Sequence, residues 1–137
     1  MNEVFLDTSY AIALSVSKDR NHEKALHIAD FLEVKPAQLI TTRAVVLEIG
    51  NALSSRQYRQ AAIDLLEALE EDPHVDIVPI TEELYQRGFQ VFKERPDKEW
   101  GVIDCMSFVV MQDRGITTAL TADKHFQQHG FKALLCD

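Results

Sequence analysis

Glu3-Val4-Phe5-Leu6-Asp7-Thr8-Ser9-Tyr10-Ala11-Ile12-Ala13-Leu14 opens the chain with an apolar run that stops on an acid and gives way to a second apolar segment. Residues 3 to 7 read as a buried strand. Asp7-Thr8-Ser9 is a helix-capping sequence, and a helix follows through Tyr10 to Leu14, fraying from Ser15 to Asn21. The same alternation continues outward from this stretch. A second helix begins near His22, with Ala25, Ile28, Ala29 and Leu32 at helical spacing before Pro36. Leu39-Ile40-Thr41 forms a short strand, and Thr42 is the N-cap of a helix carrying Val45, Glu48, Ile49, Ala52 and Leu53. Ala61, Ala62, Leu65, Leu66 and Leu69 mark another helix, which Pro73 ends.

Val75, Ile77, Val78 and Ile80 predict the next strand. Thr81 opens a helix through Leu84, Tyr85, Phe89 and Phe92 that breaks at Pro96, and its three aromatic residues are assigned to core packing. Trp100-Gly101 introduces an apolar helix over 102–112, stopped by Gly115. A strand over Thr117 to Leu120, a helix over Lys124 to His129 and a last strand at Ala133-Leu134-Leu135 complete the pattern. Strands separated by helices predict an α/β layer fold with a mainly parallel sheet. In such sheets ligands gather at the carboxyl ends of the strands.

At 137 residues the chain has the size of one compact domain, expected to bury about two-thirds of its unfolded surface. Sparse glycine and proline argue against disorder. The first residues lack a basic leader and a long apolar core, so neither secretion nor membrane spanning is expected and the cytoplasm is the default. Cys105 and Cys136 make no disulfide framework and are expected as reduced thiols. A net charge of −8 would be odd for a protein that grips nucleic acid through a broad basic surface, though it does not exclude nucleic acid. Such a balance could equally attract a basic protein partner.

Four acids, Asp7, Glu48, Asp104 and Asp123, each lie within or beside an apolar segment. A buried carboxylate is costly unless satisfied, so the set implies either separate local partners or one shared cation. Asp104 interrupts Val102-Ile103 and Cys105-Met106 near the start of an apolar helix, where it could also simply favour the helix N-terminus. Ser107, one turn onward, could hold a water or a phosphate oxygen, or bond to its own backbone. Asp7 could be a bare helix cap, Glu48 and Asn51 an exposed polar pair, and Asp123 the start of a short helix. The shared-cation reading rests on all four together. Without a cation the acids should repel one another and raise at least one carboxyl pKa. Oxygen-only ligands select hard divalent ions, Mg²⁺ or Mn²⁺, and there is no zinc-like Cys/His set.

In these motifs the chain resembles the PIN-domain family, especially its bacterial toxin-type ribonucleases of the VapC kind. The resemblance begins with Val4-Phe5-Leu6-Asp7-Thr8-Ser9 and the helix containing His22 and Ala25. It continues through Glu48-Ile49-Gly50-Asn51-Ala52-Leu53 and Ile103-Asp104-Cys105-Met106-Ser107-Phe108, and closes with Leu120-Thr121-Ala122-Asp123-Lys124-His125-Phe126. It implies a metal-dependent endoribonuclease with a helix-flanked parallel sheet, cytoplasmic, homodimeric and restrained by an antitoxin protein. Asp7 and Asp104 would be the central metal ligands, with Glu48 and Asp123 completing the cluster. Thr8, Ser9, Asn51, Ser107 and Thr121 would support them, and Arg43 and Lys124 would touch RNA phosphate. His125 is assigned to the surface or to packing. Ile103 departs from the small polar residue many relatives carry before Asp104, which bears on catalytic efficiency. Two other readings stand beside this one: phosphoryl transfer through Asp7, weakened by Ser9 where a second acid would be wanted, and a non-catalytic acidic protein-binding module.

Overall fold

The computed structural model describes residues 3–136 and places β1 (Glu3–Leu6) at the centre of a five-stranded sheet. Around it the chain runs α1 (Thr8–Ser15), α2 (His22–Val34), β2 (Gln38–Thr42), α3 (Arg43–Ala52), α4 (Arg59–Glu71) and β3 (Val75–Val78). It then returns through α5 (Glu82–Glu94), α6 (Val102–Arg114), β4 (Thr118–Leu120), α7 (Lys124–His129) and β5 (Lys132–Ala133). The strand order is β3-β2-β1-β4-β5 and every pairing is parallel. Parallel crossovers are right-handed, so the reversal of direction after β3 sends α1 to α4 to one face of the sheet and α5 to α7 to the other. The expected three-layer α/β fold is the one found. No helix among the described residues is long and apolar enough to cross a membrane.

Two caps are where the sequence puts them. Thr42 Oγ1 accepts the Val45 amide at 3.1 Å, and Thr81 Oγ1 accepts the Leu84 amide at 3.0 Å. Strand limits shift slightly. β1 ends at Leu6, and Asp7 stands at the N-cap of α1 with its amide on the Leu120 carbonyl at 3.1 Å. β3 stops at Val78, because Pro79 has no amide to continue the ladder. β5 is Lys132–Ala133, although the Leu134 and Leu135 amides still reach the Ala119 and Thr121 carbonyls at 3.0 Å.

Phe5, Ile40, Phe108, Leu120 and Phe126 are fully buried between the layers, each worth roughly 1.5–3 kcal/mol of transfer free energy. Phe126 meets Phe108 edge-on at 5.0 Å and Phe5 at 6.2 Å, which fastens α7 to both β1 and α6. The Trp100 indole adds a hydrogen bond to Gln128 at 3.0 Å. Core packing for the α5 aromatic residues is corrected: Tyr85 and Phe92 are exposed, stacked through Phe89 at 6.0 and 6.3 Å. Gly88 is the reason. A Cβ there would meet Met106 Cγ at 2.6 Å, so α6 approaches along the row of Leu84, Gly88 and Val91, and the aromatic row is turned about 100° away.

Candidate active site

The chain reverses its direction across the sheet between β1 and β4, and the ends of neighbouring strands part there into a crevice. Asp7 occupies it, only 5% exposed. Its side chain caps no amide of α1, so the bare-cap reading does not describe it. Two hydroxyls converge on Oδ2 instead, Thr121 Oγ1 donating at 2.7 Å and Ser9 Oγ at 3.0 Å. Those hydroxyls are in turn fixed by backbone amides, Asp123 N–H donating to Thr121 Oγ1 at 3.0 Å and Ala122 N–H to Ser9 Oγ at 2.8 Å. Burial pushes the Asp7 carboxyl up to about 6; the Thr121 and Ser9 hydroxyls pull it down and the Asp104 charge pushes it further up. Burial, rather than the repulsion expected from the sequence, is the main cause of the rise.

Asp104 enters from the first turn of α6, where its Oδ2 accepts the Gly101 amide at 3.2 Å. Its pKa is raised by burial first, with the Asp123 charge adding, against the hydrogen bonds from His125 and Gly101. Asp123 caps α7, its Oδ1 accepting the His125 amide at 2.9 Å. Between these two acids stands the His125 ring. Nδ1 lies 3.0 Å from Asp104 Oδ2 and 3.2 Å from Asp123 Oδ1. A surface or packing role does not describe that position. The only sequence signal was its place two residues beyond Asp123 on a helix whose orientation is fixed by distant contacts.

Glu48, in the second turn of α3, accepts a hydrogen bond from Thr8 Oγ1, which links it to the start of α1. The remaining sequence candidates divide. Thr8, Ser9 and Thr121 lie within the hydrogen-bonded network. Ser107 is buried but donates to the Ile103 carbonyl at 3.0 Å, the backbone alternative left open by the sequence. Asn51 is exposed on α3. Arg43 is engaged at the surface by Glu70 of α4, and Lys124 is exposed at the start of α7.

The donor set suits a divalent cation. Asp104, Asp123 and His125 each offer a ligand atom, all within 4.8 Å of one another. Asp7 lies within electrostatic reach of Asp104, and burial resists leaving either acid charged and alone.

An acidic crevice at the switch point of a wholly parallel, helix-flanked sheet defines an α/β protein with a strand-end site. Residues 4–132 match the PIN domain, and the chain belongs to that family. It is 27% identical over 128 residues to the 23S rRNA-specific endonuclease VapC20 of Mycobacterium tuberculosis, in strains CDC 1551 / Oshkosh and ATCC 25618 / H37Rv, across 93% of this chain and 95% of the relative. The crystal structure of Mycobacterium tuberculosis VapC20, described as a sarcin-ricin loop cleaving toxin, aligns with a TM-score of 0.83 at 26% identity, over 93% of this chain and 95% of that one.

Proposed function

We propose that this protein is a metal-dependent endoribonuclease that hydrolyses RNA phosphodiester bonds, and that it is the toxin of a toxin–antitoxin pair. The observation that supports the reading most is the meeting of Asp7, Asp104 and Asp123 at one crevice from positions 97 and 19 residues apart in sequence, with Glu48 joined through Thr8. Asp7 and Asp104 are the central ligands of Mg²⁺ or Mn²⁺ in this reading, with Glu48 and Asp123 completing the set. A divalent ion held there would make a water more acidic and offset charge on the phosphate oxygens. The protein side then divides the remaining work. Ser9 and Thr121 hold the Asp7 carboxylate in one orientation. Thr8 aims Glu48, which accepts the proton of the attacking water. Lys124 and Arg43 meet RNA phosphates, Arg43 after exchanging Glu70. Asp7 as a phosphorylated nucleophile is disfavoured by its burial and by the two hydroxyls on Oδ2.

The likeness to VapC20 makes ribosomal RNA the first substrate to try, and the resemblance to toxin-type PIN ribonucleases extends the proposal to a cytoplasmic homodimer bound by an antitoxin. The test is to incubate purified protein with ribosomal, transfer and messenger transcripts, with and without Mn²⁺, and to map the ends. Defined cuts that need Mn²⁺ and vanish in Asp104→Asn are expected. Cuts that persist in EDTA, or in that variant, would overturn the reading.

A further inference from the structure

His125 has a position that the four-carboxylate scheme does not use. Its Nδ1 is 3.0 Å from Asp104 Oδ2 and 3.2 Å from Asp123 Oδ1. Neighbouring donors around a six-coordinate ion with bonds of about 2.1 Å are themselves about 3.0 Å apart. The imidazole nitrogen therefore stands at adjacent-ligand spacing from each of the two carboxylate oxygens, and the three residues offer ligand atoms within 4.8 Å of one another. The acids do not need the ring to be held. Asp104 Oδ2 already accepts the Gly101 amide and Asp123 Oδ1 the His125 amide, at 3.2 and 2.9 Å.

The ring is also placed by the fold rather than by the acids. Phe126, the next residue, is fully buried against Phe108 and Phe5. α7 closes at Gly130 with φ +106°, a conformation that glycine adopts readily. Both ends of the short helix are thereby fixed, and His125 is presented to the crevice before any ion arrives.

We infer that His125 gives a nitrogen donor to the ion held by Asp104 and Asp123, and that this donor biases the site toward Mn²⁺ over Mg²⁺. The inference rests on the metal-dependent reading above and sharpens it. Mg²⁺ is held almost exclusively by oxygen, whereas an imidazole is a good ligand for transition ions. A site with one nitrogen thus gains more with Mn²⁺ than with Mg²⁺.

The test uses the full chain, with Mn²⁺ and Mg²⁺ titrated separately by calorimetry and the Mn²⁺ form examined by pulsed electron paramagnetic resonance. Wild type should show nitrogen coupling from a directly bound imidazole. His125→Ala should lose that coupling while keeping every other histidine, with Mn²⁺ affinity falling about tenfold or more and Mg²⁺ affinity less than about threefold. His125→Gln, which keeps a polar side chain, guards against a folding defect and should lose the same coupling. Mn²⁺ bound without nitrogen coupling, or coupling retained in the variants, would overturn the inference and leave the carboxylate site standing. A wild type that binds neither ion would remove both.

Discussion

The crevice at the strand ends and the seam between α5 and α6 are built on opposite physical terms. In the seam, Leu84 and Gly88 of α5 are buried and Met106 of α6 lies against Gly88, so the groups present gain from leaving water. In the crevice, Asp7 and Asp104 have been moved out of water against their preference, and burial is the first cause of both raised pKa values. The seam contributes stability and asks for close fit. The crevice opposes stability until something neutralises it, so the fold must hold it in place.

The largest expected effect breaks function from stability. Asp104→Asn should lower Mn²⁺-dependent RNA cleavage at least about 100-fold, more than loss of an outer supporting group usually costs. Its urea midpoint in EDTA should not fall below that of wild type. A variant that stays active, or that unfolds in EDTA more easily than wild type, would place Asp104 with the structural residues.

The next effect concerns pH in the ion-free protein. The Asp7 pKa is about 6 in the folded chain against an ordinary value of 3.8. A raised carboxyl favours the fold fully below pH 3.8, and that contribution is lost as pH rises through about 6. The difference corresponds to about 3 kcal/mol at neutral pH. Asp104 acts in the same direction. Glu70, Asp97 and Asp113 act in the opposite one, since hydrogen bonds from Arg43, Arg95 and Arg87 hold them below the usual range. Comparison with Asp7→Asn isolates the crevice: urea titrations in EDTA from pH 4 to 7 should show wild type losing stability relative to the variant. Parallel curves would remove Asp7 as a source of strain.

A smaller loss is expected on the other side of the comparison. Gly88→Ala forces a methyl against Met106 and should cost about 1–3 kcal/mol of stability. Its cleavage rate per folded molecule should match wild type, because Gly88 and Met106 take no part in the hydrogen bonds that hold Asp7, Asp104 and Asp123. A specific loss of cleavage would mean that the two regions are coupled through α6. The smallest effect belongs to Lys124. Lys124→Ala should leave the urea midpoint unchanged and reduce the salt dependence of RNA binding by about 0.7 in log–log slope, one phosphate contact on a single strand. An unchanged slope would place the RNA path elsewhere.

Much of this organisation was legible where the physics is local. Thr42 and Thr81 act through bonds to amides three residues on, and Val4-Phe5-Leu6 is apolar on both faces because its strand is central. All four acids could be marked because a charge beside apolar residues is conspicuous in one dimension. The meeting of His125 with Asp104 was not legible, since it depends on Phe126 seating α7 against β1 and α6. Nor was the outward turn of Tyr85 and Phe92. Hydrophobic spacing on α5 fits two faces, and Gly88 selects between them through its missing side chain, which a hydrophobic pattern scores as nothing.

The bond between Asp7 and Thr121 spans 114 residues of chain. Contacts this remote in order form late, after the strands that carry the two residues have paired. The pocket is therefore among the last parts of the fold to be completed. Whatever the crevice binds has to wait until the sheet beneath it is built.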